Sequence, residues 1–104
     1  MTQTALTREQ VQFEPVGKQL DAWVAKHVMF PGHTNPIEHI KTWCKNYSSD
    51  MTDAWDIIAS CGHYAAVETN HSGGYICTVL GYSAHALTAP EAICKAALFD
   101  ALDL

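Results

Sequence analysis

The feature that most restricts what this chain can fold into is a complete helix opening near its C-terminus, Thr88-Ala89-Pro90-Glu91. The Thr88 hydroxyl can accept a bond from a free N–H of the first turn. Pro90 sits where its missing N–H costs nothing, and Glu91 is placed to reach back and close a capping box. Ile93, Cys94, Ala97, Leu98 and Ala101 then fall on one stripe, so this helix has a face that other parts of the chain must cover. Glu91 and Lys95 stand at i and i+4 in the order that favours an ion pair. Phe99 falls off the stripe, beside Glu91, Ala92, Lys95 and Asp103. Two readings stay open for it. Phe99 folds under Leu102 or the N-terminal residues, or it is exposed and anchors a symmetric contact between two copies. The second makes Phe99 the interface candidate and the chain a homo-oligomer, a dimer.

Two further helices follow from spacing. After Pro15, the residues Val16, Leu20, Trp23, Val24, His27 and Val28 share one stripe, with Lys18, Asp21, Ala22 and Lys26 around the rest, until Phe30-Pro31-Gly32 breaks the pattern. Ser48 or Ser49 is a suitable N-cap for a second helix, with Asp50 and Asp53 at its positive end. Its stripe is Met51, Ala54, Ile57, Ile58 and Cys61, Trp55 lies at the stripe's edge, and Gly62 is the expected left-handed stop. Residues 30–46 read as a long loop in which Ile37, Ile40, Trp43 and Cys44 fit either a short strand or a helical turn. Strand formers from Tyr64 to Thr69 and from Tyr75 to Leu80 flank Asn70-His71-Ser72-Gly73-Gly74, which predicts a hairpin. The second of these strands is apolar on both faces and calls for cover on two sides. Gly81 bends the chain into a further short strand near 83–87. The expected fold is α+β, a small antiparallel sheet of a hairpin plus this third strand, sandwiched by about three helices. Residues 1–15 read as a flexible arm and 16–104 as a single domain.

Hydrophobic residues form 48% of the 104 and charged residues 16%, the balance of one packed core and not of a disordered tail. The formal charge of −5 has the wrong sign for a phosphate backbone or an anionic membrane surface, so neither nucleic acid nor membrane is expected as a partner. The opening residues lack an apolar signal core, and the four cysteines are therefore read as reduced and cytoplasmic.

Six histidines and four cysteines raise the question of a metal. Cys44, Cys61, His63 and His71 are the most economical tetrahedral set, but no C-x-x-C or H-x-x-x-H pair supports it, and Cys61 lies on an apolar stripe. Cys77 and Cys94 also fall on core-facing positions, where a free cysteine is a small buried hydrophobe. No metal, cofactor or catalytic residue is expected. The cysteines on helices sit late in them or inside them, away from the positive ends that would make a thiolate. His27 reads as a core histidine favoured by a helix C-terminus; His33, His39 and His85 read as solvated. Asp50, Asp53 and Asp56 read as dipole compensation and not as a carboxylate cluster. The Gly73-Gly74 pair is too little for an anion-binding loop.

Three blocks, LDAWVAKHVM from Leu20, YSSDMTDAWDII from Tyr47 and TAPEAICKAAL from Thr88, together resemble the phage ABA-sandwich domain, a family of small bacteriophage and prophage proteins. More distantly they resemble the Nin-region proteins of lambdoid phages. The resemblance runs from about Gly17 to Leu98. It implies helices around a small sheet, and expression inside an infected bacterium, and it carries no reaction or ligand to any residue. The expected function is that of a noncatalytic phage accessory protein in the bacterial cytoplasm, binding a host protein or assembling with itself. The alternative is a small-molecule binder that sequesters a nucleotide signal of bacterial defence.

Overall fold

The computed structural model describes residues 6–32, 34–61 and 65–104, the side chain of Cys61 excepted. Helix α5 (Ala89–Leu102) occupies the middle of the molecule, and its opening is only half as expected. Thr88 Oγ1 accepts the Glu91 N–H at 3.4 Å, but the Glu91 carboxylate does not close the box. It takes the Lys95 ammonium at 2.6 Å instead. From Ala92 to Phe99 every residue is buried, so α5 is enclosed all round where the stripe predicted one covered face. Phe99, the interface candidate, is 1% exposed. It belongs to the core and cannot anchor a contact between copies.

The cover over Phe99 comes from the segment read as a flexible arm. Helix α1 (Arg8–Phe13) is opened by a reciprocal box in which the Thr7 and Gln10 side chains each take the other's backbone N–H. It lies against α5 with Val11 fully buried. Lys95 Nζ donates to the Gln12 carbonyl at 2.7 Å, and the Arg8 guanidinium stands 4.1 Å from the centre of the Phe99 ring while donating to the Leu104 carbonyl at 3.2 Å. Ala92, Lys95 and Phe99 are three and four apart, which puts all three under α1.

Helix α2 (Lys18–Val24) runs on into a wider π turn, Ala25–Met29, closed by the Phe30 N–H to the Ala25 carbonyl at 2.9 Å. Leu20 to Ala25 are all buried, Asp21 and Ala22 included, although spacing placed those two on the open side. Asp21 is tolerated there because its Oδ1 accepts the Ser48 N–H at 2.7 Å. The Ser48 hydroxyl in turn exchanges hydrogen bonds with the Gly17 backbone, and Lys18 Nζ donates to the Cys44 carbonyl at 3.0 Å. Residues 44–48 are thereby tied to the start of α2. The stretch between carries one short helix, α3 (Ile37–Ile40), the helical alternative for that segment. Helix α4 (Met51–Cys61) is capped by Asp50, whose Oδ1 accepts the Thr52 N–H at 2.8 Å, and not by Ser48 or Ser49. The expected stop at Gly62 lies outside the described residues.

Strands β1 (Ala65–Thr69), β2 (Tyr75–Val79) and β3 (Tyr82–Ala86) form one antiparallel sheet in the order β1-β2-β3. The third strand expected near 83–87 is thus present. Gly74 closes the hairpin at φ +85°, and a Cβ there would stand 2.4 Å from the Ala86 carbonyl oxygen. Helix α5 packs on the sheet face that carries the buried Cys77, Val79 and Ala84. On the opposite face Ile76, Thr78 and Ser83 are half-buried and Glu68 and His85 exposed, so the two-sided cover expected for β2 is only partial. The architecture is α+β, with five helices among the described residues and a three-stranded antiparallel sheet.

Truncating Phe99 to alanine is expected to lower stability by about 3–5 kcal/mol, the cost of emptying a large core site, in urea-induced unfolding. A loss below about 1 kcal/mol would place Phe99 on the surface after all.

Candidate functional site

Helix α4 is seated by Ala54 and Ile57, both fully buried. At 100° per residue this turns Met51, Thr52, Trp55 and Asp56 to the other side, where they line an open depression of about 390 Å³. Trp55 is 57% exposed and Met51, which spacing placed on the core stripe, is 40% exposed. At the polar margin, Asp56 holds Lys45 at 2.8 Å, and this bond together with the opposite charge raises the Lys45 pKa above its ordinary value. Asp53 accepts the Asn46 N–H at 3.0 Å. The three aspartates therefore each serve a separate partner: Asp50 its helix end, Asp53 a loop amide, Asp56 a lysine. A second aromatic spot lies where Phe30 and Trp43 meet edge to face, ring centres 5.8 Å apart. Neither grouping was singled out by spacing. The available signal was the i, i+4 pair Met51 and Trp55 with an acid immediately after it, of which stripe counting assigned Met51 to the core stripe and Trp55 to its edge.

Of the candidate metal set Cys44, Cys61, His63 and His71, the described residues include the side chains of Cys44 and His71. Cys44 is 7% exposed within the core, and His71 lies exposed in the hairpin turn. The Cys61 side chain and His63 lie outside the described residues, as does His33. Among the described residues no group of three or more His, Cys, Asp or Glu side chains is arranged to hold a metal ion. In the turn, Asn70 takes the Ser72 N–H on its side chain and the Gly73 N–H on its carbonyl, so these amides close the turn. His39 and His85 are exposed, as expected.

Cys94, Cys44 and His27 are each shifted toward the neutral form. Burial pushes the Cys94 thiol well above its ordinary range, with the Asp21 and Glu91 charges adding to it. Burial also raises Cys44, against the opposing pull of Lys18. Burial, then the neighbouring Lys26 charge, lowers the His27 pKa. The helix-end preference for a charged imidazole expected at His27 is outweighed. A neutral thiol is a poor nucleophile, so Cys44 and Cys94 are packing groups in this arrangement.

Two outcomes follow. Cys44, Cys77 and Cys94 should resist thiol reagents in the native protein and react once it is unfolded, as peptide mapping of the labelled chain would show; rapid native labelling of Cys94 would contradict its burial. Because the folded His27 pKa lies below the unfolded value near 6.5, the unfolded chain takes up more protons as pH falls through about 6.5, and stability drops on that acid side. Replacing His27→Gln should therefore reduce the loss of stability between about pH 7 and pH 5, measured by urea midpoints. An unchanged slope would mean His27 is solvated.

No helix among the described residues is long and apolar enough to cross a membrane. No curated protein and no solved structure matches the chain. A family model does: residues 22–98 match that of the phage ABA sandwich domain, which takes in the end of α2, the π turn, α3, α4, the whole sheet and most of α5. The chain belongs to the phage ABA sandwich domain family.

Proposed function

We propose that the protein is a noncatalytic bacteriophage accessory protein that acts in the cytoplasm of the infected bacterium by binding a host protein through the Met51–Trp55 face of α4. The observation that carries this reading is Trp55, 57% exposed on a helix whose other side is locked into the core. Tryptophan is the residue most enriched among the energetic centres of interfaces, and methionine beside it adapts to the partner's shape. A rigid helix presents the pair without an ordering cost on this side of the contact. The neutral, buried thiols and the lowered imidazole support a role without covalent or acid–base chemistry.

The depression around Trp55 also favours a second reading, a nucleotide signal whose base stacks on the indole. Charge disfavours it. Asp56 lies in the lining, and the net charge of −5 repels phosphate.

The test is capture from bacterial extract by the wild-type chain and by Trp55→Ala, followed by reconstitution with the purified partner. The variant should keep its stability within about 1 kcal/mol, since the side chain is mostly in water, and lose affinity roughly thirtyfold or more, as an interface centre does. A partner held equally by both proteins would move the interface elsewhere. A nucleotide retained in native mass spectra of wild type and lost in Trp55→Ala would install the second reading.

A further inference from the structure

The two borders of the sheet are not equivalent. Hydrogen bonding along an antiparallel pair alternates, and the phase is set by the turn, where the Asn70 N–H donates to the Gly74 carbonyl at 3.0 Å. Counting back through the register Thr69↔Tyr75, Glu68↔Ile76, Val67↔Cys77, Ala66↔Thr78 and Ala65↔Val79, the residues bonded to β2 are Glu68 and Ala66. The N–H and C=O groups of Ala65, Val67 and Thr69 therefore point away from the sheet. The same count across β2 and β3 turns the Ser83 backbone outward on the far border. There the Arg8 guanidinium reaches the Ser83 carbonyl at 3.5 Å. One border is thus occupied by the chain's own arginine. Among the described residues nothing occupies the other.

Edge strands left open in this way are normally guarded by charged side chains, proline or a bulge. Strand β1, Ala-Ala-Val-Glu-Thr, has neither proline nor bulge, its single charge is Glu68 on the outer face, and its pairing with β2 is continuous over all five residues. Ala65 and Val67, which share the core face with Val79 and Cys77, are only half-buried at this border. We propose that β1 pairs antiparallel with β1 of a second copy across a two-fold axis through Val67, joining two three-stranded sheets into one.

The occupant follows from the strand's own register. Centred on Val67, the pairing sets Val67 opposite Val67, Ala65 opposite Thr69 and Ala66 opposite Glu68 of the other copy. The outward-pointing residues face one another throughout, so each such pair exchanges both main-chain bonds. Centring on Glu68 would set two carboxylates directly against each other, which is unfavourable. Centring on Val67 puts each Glu68 across from an alanine on the outer face. The sequence thus permits self-pairing in the one register that uses every outward group of the strand. This inference concerns a different surface from the Trp55 face and stands apart from the function proposed for it.

The test uses the intact chain. Sedimentation equilibrium over about 5–200 µM should show a monomer–dimer equilibrium. Ala66→Glu places a like charge opposite Glu68 twice per dimer and should raise the dissociation constant roughly tenfold. Ala66→Lys should lower it, and Ala66→Glu combined with Glu68→Lys should return it toward wild type. Trp55→Ala should leave it unchanged, which separates this contact from the α4 face. Should a variant fail to fold, hydrogen exchange on the wild type still decides: the Val67 and Thr69 N–H groups should gain protection as concentration rises, while those of Ala66 and Glu68 are protected throughout. A wild type that stays monomeric across the range, equal effects of the two Ala66 substitutions, or Val67 exchange independent of concentration would each overturn the proposal.

Discussion

Between Ala92 and Phe99 helix α5 has no solvent side, and a helix enclosed all round needs cover from layers on every face. The sheet supplies one through Cys77, Val79 and Ala84; α2, α4 and the π turn supply another. The last face carries Lys95, whose side chain is 4% exposed. A buried ammonium is tolerable only when its donors are matched, and here Glu91 answers its charge while the Gln12 carbonyl takes a further hydrogen. That second acceptor belongs to α1. The charge of Lys95 thus fixes where the first helix docks, and docking α1 in turn encloses Phe99.

The same constraint explains which parts of the fold could be read from residue order. Local signals were sufficient where the chain punctuates itself. Thr88-Ala89-Pro90 opens α5, Asn70 to Gly74 turns the hairpin, and Gly81 leads into β3. Stripe counting failed wherever a helix is covered on more than one side. It assumes one wet face, and so it put Asp21, Ala22 and Phe99 outside. The clue was the sparsity of charge. Leu20 to Ala25 holds one charged residue, Ala92 to Phe99 holds one, and both charges are bonded to backbone groups in the interior. Helix α1 was missed for a different reason. Six residues are too few to form a helix alone, and only the Thr7–Gln10 box and the bonds to α5 make it one.

The site was harder to see than the fold. A methionine and a tryptophan at i and i+4 look like core, and nothing local says that Ala54 and Ile57 already fill the core side of α4. What decides is the length of the buried stripe. A helix lying on a small core needs only a narrow seam, and the larger residues flanking that seam are left in water. The cysteines illustrate the converse. Cys77 and Cys94, read from their positions as small buried hydrophobes, are fully buried, and Cys44 is 7% exposed.

Arg8 connects the interior to the border of the sheet. Its guanidinium lies over Phe99, donates to the Leu104 carbonyl at 3.2 Å and reaches the Ser83 carbonyl at 3.5 Å. One side chain thus covers a core aromatic, ties the two ends of the described chain together and occupies an outward carbonyl of β3. Helix α1 packs against α5, so its arginine falls at the border of β3, the strand that follows the hairpin, and not at that of β1. The asymmetry of the sheet's borders therefore goes with the docking of α1 on α5. Lys95 positions α1, α1 carries Arg8, and Arg8 sits on one border while Ala65, Val67 and Thr69 keep their main-chain groups directed outward on the other.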